Sequence, residues 1–145
     1  MTRNNLQDLS LLVVEDSPAD VFLLKEAMKE EGLGCHMKVA DDGEKAIHIL
    51  DEVDAGSQDV PDLLLVDLNV PRQSGTQVLE RLRRSPRCSK TPVVMMSTSD
   101  TAVERKRAFD LGATEYFCKP SSLAEFMKLG QLVRRLLEDR SGAAA

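Results

Sequence analysis

The sequence has no tryptophan, one tyrosine and only three cysteines among its 145 residues. An odd number of cysteines without metal-like spacing fits free thiols in a reducing cytosol. The sequence also lacks an apolar run near the ~20 residues that a membrane-spanning helix requires. Residues 1–8 have no apolar stretch of the kind found in a secretory signal. We therefore expect a cytoplasmic protein that has no membrane partner.

Positive charge is in deficit as well, since 19 Lys and Arg residues face 24 Asp and Glu residues, for a formal net charge of −5. This balance argues against nucleic acid as the main partner, because binding to a phosphate backbone needs a basic surface. The glycine-rich signatures of nucleotide-binding loops and of serine hydrolases are absent too. What remains is the composition of an ordinary globular domain, with 42% hydrophobic and 30% charged residues.

Five short apolar runs alternate with helical patterns along the chain. Three of these runs, starting at Leu11, Leu63 and Val93, are apolar without alternation, as is typical of strands that helices cover on both faces. The predicted strands are 11–14, 37–40, 63–66, 93–96 and 115–118, and the predicted helices are about 18–31, 44–53, 75–84, 100–112 and 121–139. This order predicts an α/β fold, a (βα)₅ doubly wound parallel five-stranded sheet of the flavodoxin-like type with strand order 2-1-3-4-5.

The first predicted helix has a clear start. Ser17 is a suitable N-cap, Pro18 is suited to the first helical position, and Asp20 supplies an acidic residue in the first turn. At the chain ends, residues 1–9 are expected to be an N-terminal extension and residues 140–145 a disordered tail. The domain itself is predicted over residues 10–139.

Polar side chains follow four of the five predicted strands. Glu15 and Asp16 follow the first strand, Asp67 the third, Ser97 the fourth and Lys119 the fifth. Because the carboxyl ends of parallel strands meet at one edge of a sheet, we expect these side chains to share a pocket. Clustered carboxylates repel one another unless a cation binds them, and oxygen ligands alone favour Mg²⁺ or Mn²⁺. A metal beside a carboxylate nucleophile, with a hydroxyl and an ammonium to receive anionic oxygens, indicates a phosphoryl-transfer site.

With these residues in place, the sequence resembles the receiver domains of two-component response regulators. The matching segments are 12–16, 65–71, 97–98 and 116–120, and the resemblance extends over about residues 10–139. Within the family, Glu-Asp-Ser-Pro-Ala-Asp, Asp-Leu-Asn-x-Pro and Ser-Thr-Ser are similar to the stand-alone regulators associated with bacterial phytochromes. So little chain lies outside the resemblance that a receiver without an output domain is expected, which signals by protein contact or onward phosphotransfer.

The resemblance implies a metal site and a phosphoacceptor. Asp67 would accept a phosphoryl group from a sensor histidine kinase in a phosphorelay, with a phytochrome-type kinase as the candidate donor. Asp16 and Asp67 would bind Mg²⁺ directly, with Mn²⁺ as a substitute. The Asn69 backbone carbonyl would be a third protein ligand, and Glu15 would act through a metal-bound water.

The resemblance also implies the switch residues. Lys119 would pair with a phosphoryl oxygen, and the Ser97 hydroxyl would move to bond another. Tyr116 matches an aromatic residue that turns inward when that hydroxyl moves, and Pro120 matches a proline that often follows a cis peptide bond. Thr98 stands where many relatives carry Ala, and its bulk is expected to slow loss of the phosphoryl group. The kinase would dock on the side of the first helix, and a homodimer could form through the strand-4/helix-4/strand-5/helix-5 face.

Two other functions remain as alternatives. A phosphatase of the haloacid-dehalogenase type also uses a strand-end Asp with Mg²⁺, but it needs a second Asp two residues later, where this chain has Asn69. It would also need an inserted cap to hold a substrate. A receiver-like binding module without phosphorylation is disfavoured because Glu15, Asp16, Asp67 and Lys119 are all present. The expectation is therefore a non-enzymatic switch that handles only its own phosphoryl group.

Overall fold

A computed structural model describes the backbone of residues 6–143 and the side chains of residues 6–140. Strands and helices alternate throughout, as the apolar pattern predicts. The elements are β1 (Leu9–Val14), α1 (Pro18–Glu30), β2 (Cys35–Ala40), α2 (Gly43–Asp54), β3 (Leu63–Asp67), α3 (Gly75–Arg83), β4 (Val93–Ser97), α4 (Ala102–Asp110), β5 (Glu115–Cys118) and α5 (Leu123–Ala143).

The five strands form one parallel sheet in the order β2-β1-β3-β4-β5, which confirms the predicted fold and strand order. The register aligns the carboxyl ends of the central strands. Val14 at the end of β1 lies opposite Val66 in β3, and Ser97 at the end of β4 lies opposite Cys118 in β5. The residues that follow these positions therefore emerge at the same edge of the sheet.

Side chains of the central strands point alternately into two cores. Leu12, Val14 and Val66 face the core under α2 and α3. Leu11 and Val13 face the core that includes residues of α1 and α5. Because both faces of β1, β3 and β4 are covered, each of these strands is apolar at nearly every position, and this is why their sequences do not alternate.

Local capping groups start the helices. The Ser17 side chain accepts a hydrogen bond from the Asp20 backbone N–H, with Pro18 at the first helical position, so the predicted start of α1 is confirmed. The start of α4 lies later than predicted, at Ala102, because the Thr101 side chain caps it. Within residues 6–143, no helix combines the length and apolar character needed to cross a bilayer.

Further boundary differences lie at the sheet edge and at the chain ends. β1 and β2 each begin two residues before the predicted starts, since the Leu9 N–H donates to the Gly34 carbonyl and extends the ladder. Leu9, which the prediction placed in the N-terminal extension, is therefore the first residue of β1. α5 continues to Ala143, past the predicted domain end at residue 139. The rest of the predicted extension and tail, residues 1–5 and 144–145, lies outside the described residues.

Candidate functional site: an acidic pocket at the carboxyl edge of the sheet

Three carboxylates meet where β1 and β3 end. The backbone N–H of Glu15 donates to the Ala40 carbonyl, which continues the β1–β2 ladder by one residue and places Glu15 directly at the edge. One carboxylate oxygen each of Glu15, Asp16 and Asp67 lies within 4.8 Å of the others. Glu15 and Asp67 are buried, whereas Asp16 is exposed. An all-oxygen donor set of this size suits a hard divalent cation, so the residues present fit the predicted metal.

Lys119 reaches this pocket from the end of β5. Its backbone N–H donates to the Ser97 carbonyl at 2.7 Å, which holds the residue at the strand end. Its ammonium donates three hydrogen bonds of 2.7 Å, to Glu15 Oε1, Asp20 Oδ2 and Asp67 Oδ2. All three N–H donors of the ammonium are thus used, and the side chain is only 8% exposed.

Asp20 is the residue of this pocket that the sequence analysis missed. The sequence indicated only an acidic residue in the first turn of α1, where such residues favour the helix N-terminus. In the structure its backbone N–H takes part in the Ser17 cap while its carboxylate turns to Lys119. The available signal was position, since the first turn of a helix that follows a strand lies at the same sheet edge as the end of that strand.

Burial and the hydrogen bonds to Lys119 have opposite effects on the pKa values in this pocket. Burial raises the pKa of Glu15 to about 7, although the hydrogen bond from Lys119 lowers it, and the nearby charge of Asp67 raises it further. For Lys119, burial lowers the pKa, but the hydrogen bonds to Asp20, Asp67 and Glu15 outweigh this and hold the pKa above its usual range. The ammonium therefore stays charged at neutral pH and partly balances the carboxylates.

Asp67 is held from its backbone side by the loop that follows β3. The Asn69 backbone N–H donates to Asp67 Oδ1 at 2.8 Å, while Oδ2 faces Lys119. The first residue of α3, Gly75, packs against the Asp67 backbone, and a Cβ atom there would lie 2.5 Å from the Asp67 carbonyl oxygen. The loop also contains Arg72 and Gln73 at positive φ, 51° and 70°, a conformation that residues with side chains rarely adopt. The backbone path of the loop is thus fixed by the close approach at Gly75 and by two residues in the left-handed region.

The predicted switch residues are linked through the loop that follows β4. Ser97 is fully buried, and its hydroxyl oxygen accepts from the Ser99 backbone N–H at 3.0 Å. The Tyr116 hydroxyl donates to the Ser99 carbonyl at 2.8 Å. Tyr116 is 5% exposed and so lies inward, and burial raises its pKa above the usual range. The Arg105 guanidinium covers its ring at 5.0 Å and pairs with Asp100.

Two residues implied by the resemblance lie beside these switch residues. The side chain of Thr98 is exposed, and its carbonyl accepts a weak hydrogen bond from the Cys118 thiol. No peptide bond within residues 6–143 is cis, so the implied cis bond before Pro120 is not present. The trans form is the one that X-Pro bonds usually adopt.

Comparison with known proteins gives a consistent family. The family profile described as "Response regulator receiver domain" matches residues 11–131. Response regulator Rcp1 of Synechocystis sp. is 30% identical over 122 residues, which cover 83% of each chain. Transcriptional regulatory protein TrcR of Mycobacterium tuberculosis is 34% identical over 128 residues, 88% of this chain but 46% of that protein. The chain thus spans about half the length of some regulators that it matches.

Solved structures agree with this family. The phosphorylated cyanobacterial phytochrome response regulator RcpA is similar with a TM-score of 0.79 and 27% identity, covering 89% of this chain and 93% of that chain. The Mn²⁺-bound form of Rcp1 is similar with a TM-score of 0.76 and 28% identity, covering 86% and 91%. The relatives are thus alike in fold over nearly the whole domain.

Proposed function

The chain belongs to the response regulator receiver domain family, and we propose that it is a phosphorylation switch in which Asp67 accepts a phosphoryl group from a sensor histidine kinase. The observation that carries the proposal is the setting of Asp67. One of its carboxylate oxygens is bonded to the Asn69 backbone N–H and the other to the Lys119 ammonium, beside the carboxylates of Glu15 and Asp16. In the reaction, a P–O bond forms to Asp67 as the P–N bond of the kinase phosphohistidine breaks, and the imidazole leaves.

Each group of the pocket has a task that follows from its charge. Lys119 neutralises a phosphoryl oxygen, and the Ser97 hydroxyl donates to another. Mg²⁺, or Mn²⁺ in its place, would be held by Asp16, Asp67 and the Asn69 backbone carbonyl, with Glu15 reached through a water, and would supply further neutralising charge. The metal assignment is supported by the donor set and by the Mn²⁺-bound form of the relative Rcp1.

Asn69 disfavours the alternative of a phosphatase. The position two residues after the phosphoacceptor is the one from which such an enzyme protonates its leaving group. An Asn side chain has no titratable proton near neutral pH and so cannot act as this general acid. We therefore propose a switch that loses its own phosphoryl group slowly rather than an enzyme that turns over phosphate esters.

We propose that the kinase docks beside α1. Phe22 on this helix is 61% exposed and follows Asp20 by two residues in the sequence. An exposed phenylalanine on the helix that carries Asp20 offers the apolar area that a protein interface uses at its centre. The similarity to RcpA, a phytochrome response regulator, supports a phytochrome-type kinase as the partner.

We propose that the output surface is the face made by α4, β5 and α5. Val103, Phe109 and Leu123 on this face are 78%, 42% and 61% exposed. The hydrogen bonds that join Ser97 and Tyr116 to Ser99 lie in the short loop between β4 and the start of α4. A phosphoryl group that draws the Ser97 hydroxyl toward it therefore perturbs this face, which a downstream protein or a second copy of the chain would contact.

Phosphorylation with a small donor tests the assignment of Asp67. The protein is incubated with acetyl phosphate and Mg²⁺, and intact-mass spectrometry is expected to show one added phosphoryl group. When EDTA is added before acetyl phosphate, no phosphoryl group is expected. Asp67→Asn is expected to remain unlabelled and folded, whereas Asp59→Asn, a change at an exposed Asp, is expected to be labelled like the wild type. Labelling of Asp67→Asn at the wild-type rate would remove Asp67 from the proposal. A phosphate-ester assay on the same samples is expected to show no turnover.

A further inference from the structure

Asp20 contacts Lys119 but is not one of the three clustered carboxylates that fit a cation. Those three carboxylates belong to Glu15, Asp16 and Asp67, whereas Asp20 Oδ2 accepts from the Lys119 ammonium at 2.7 Å. We propose that Asp20 is a positioning residue that holds Lys119 so that one of its N–H groups points at the oxygen of Asp67 where the phosphoryl group arrives. This inference rests on the proposed function, since it concerns the same reaction.

Contacts within α1, and not Lys119, fix the backbone position of Asp20. Ser17 caps α1 by accepting from the Asp20 backbone N–H at 3.2 Å, and Pro18 restricts the backbone of the same turn. The Asp20 carboxylate is therefore held by a helix terminus, not by a flexible loop. Lysine has four rotatable side-chain bonds, so a charged partner in a fixed place removes much of its freedom.

The three partners of the ammonium differ in what phosphorylation does to them. The oxygen of Asp67 that faces Lys119 belongs to the group that becomes the acyl phosphate, so the N–H now bonded to it is the one that turns to a phosphoryl oxygen. One carboxylate oxygen of Glu15 also lies close enough to Asp16 and Asp67 to bind a cation with them. Asp20 serves neither purpose, so it can hold Lys119 throughout the reaction.

Removal of this anchor should be visible at Lys119 and in the rate. In Asp20→Ala, the ammonium loses one charge-assisted hydrogen bond and becomes more mobile. Lys119 should then react faster with acetic anhydride, measured by peptide mass spectrometry with the exposed Lys45 as internal reference. The rate of phosphorylation by acetyl phosphate, extrapolated to saturating Mg²⁺ so that metal affinity does not contribute, should fall about tenfold.

Two further variants separate positioning from general damage. Asp20→Asn keeps an oxygen that can accept from Lys119, so both measurements should return part of the way toward the wild type. Asp41→Ala removes an acidic partner of the exposed Lys45 and should leave the phosphorylation rate and the Lys119 reactivity unchanged; its Lys119 signal is referenced to Lys128 instead. Circular dichroism checks that each variant is folded.

The outcomes distinguish this inference from the proposed function. Unchanged Lys119 reactivity in Asp20→Ala overturns the inference. The inference is also overturned if Lys119 becomes more reactive in Asp20→Ala but the variant is still phosphorylated at the wild-type rate at saturating Mg²⁺. An equal fall in Asp20→Asn and Asp20→Ala, with no partial return, overturns the role of the accepting oxygen. Wild-type protein that takes no phosphoryl group at any Mg²⁺ concentration overturns the proposed function, and with it the reaction that Asp20 is proposed to serve.

Discussion

Replacement of Lys119 by Met should destabilise the metal-free protein strongly. Methionine keeps a flexible chain of similar length but has no charge. The change leaves the oxygens of Glu15, Asp20 and Asp67 without the ammonium that bridges them at 2.7 Å. Glu15 and Asp67 are almost fully buried, at 1% and 7% exposure, so water replaces the lost partner only in part.

The size of the effect follows from this burial. Removal of one member of a buried ion pair costs about 3–5 kcal/mol, because it leaves an uncompensated charge in a poorly solvated site. A domain of this size is stable by about 5–15 kcal/mol, so the variant should still fold. The cost should shrink as the pH falls and the carboxylates become protonated, since their mutual repulsion and their attraction to Lys119 both disappear.

Urea unfolding followed by circular dichroism measures the difference directly. In EDTA at neutral pH, Lys119→Met should unfold at a much lower urea concentration than the wild type. Addition of Mg²⁺ should narrow the gap, because a cation in the pocket supplies the missing positive charge and ligand binding stabilises the folded state. The matched control is Lys45→Met, which breaks the exposed pair with Asp41 and should leave the unfolding midpoint nearly unchanged. A cost for Lys119→Met below about 1 kcal/mol, the value for a surface pair, would refute the reasoning, and so would a gap that Mg²⁺ leaves as wide as before.

Three further predictions concern docking, phosphoryl lifetime and pH. Phe22→Ala should slow phosphotransfer from the cognate kinase about tenfold, the loss expected for an interface phenylalanine, while labelling by acetyl phosphate stays at the wild-type rate. Phe109→Ala on α4 is the control. Equal rates of phosphotransfer from the kinase to both variants would contradict docking beside α1. Thr98→Ala should lose its phosphoryl group faster than the wild type, as followed by intact mass, and equal decay would count against the shielding role of Thr98. Because burial raises the pKa of Glu15 from 4.5 to about 7, the free energy of unfolding of the metal-free protein should fall as the pH rises through this interval and level off above it. In urea titrations, Glu15→Gln should make the free energy of unfolding depend less on pH. An unchanged dependence would show that another group is responsible.

The apolar pattern predicted the central strands more accurately than the edge strand. The apolar runs at Leu11, Leu63 and Val93 predicted the buried strands because burial on both faces leaves a one-dimensional mark on the sequence. The edge strand β2 carried a weaker mark, since its first two residues, Cys35 and His36, are not fully buried. Its predicted start was therefore two residues late.

The site shows the same division. Glu15, Asp16, Asp67 and Lys119 could be identified because each follows a strand, and parallel strands end at one edge. Asp20 could not be identified in this way, because an acidic residue in a first helical turn is ordinarily explained by the helix terminus alone. Only the three-dimensional path of the Lys119 side chain shows that the carboxylate of Asp20 has a second use.

The sequence by itself therefore determined the order of elements, the direction of the strands and the set of charged residues at their carboxyl ends. These properties follow from patterns that repeat locally, namely apolar runs, helix caps and strand termini. The tertiary structure alone decided which side chains meet. The Lys119 ammonium bonds to residues 99 and 104 positions away in the chain, Asp20 and Glu15, and Tyr116 lies inward under Arg105. Such contacts depend on rotamers and on the packing of helices against the sheet, which leave no periodic trace in the sequence.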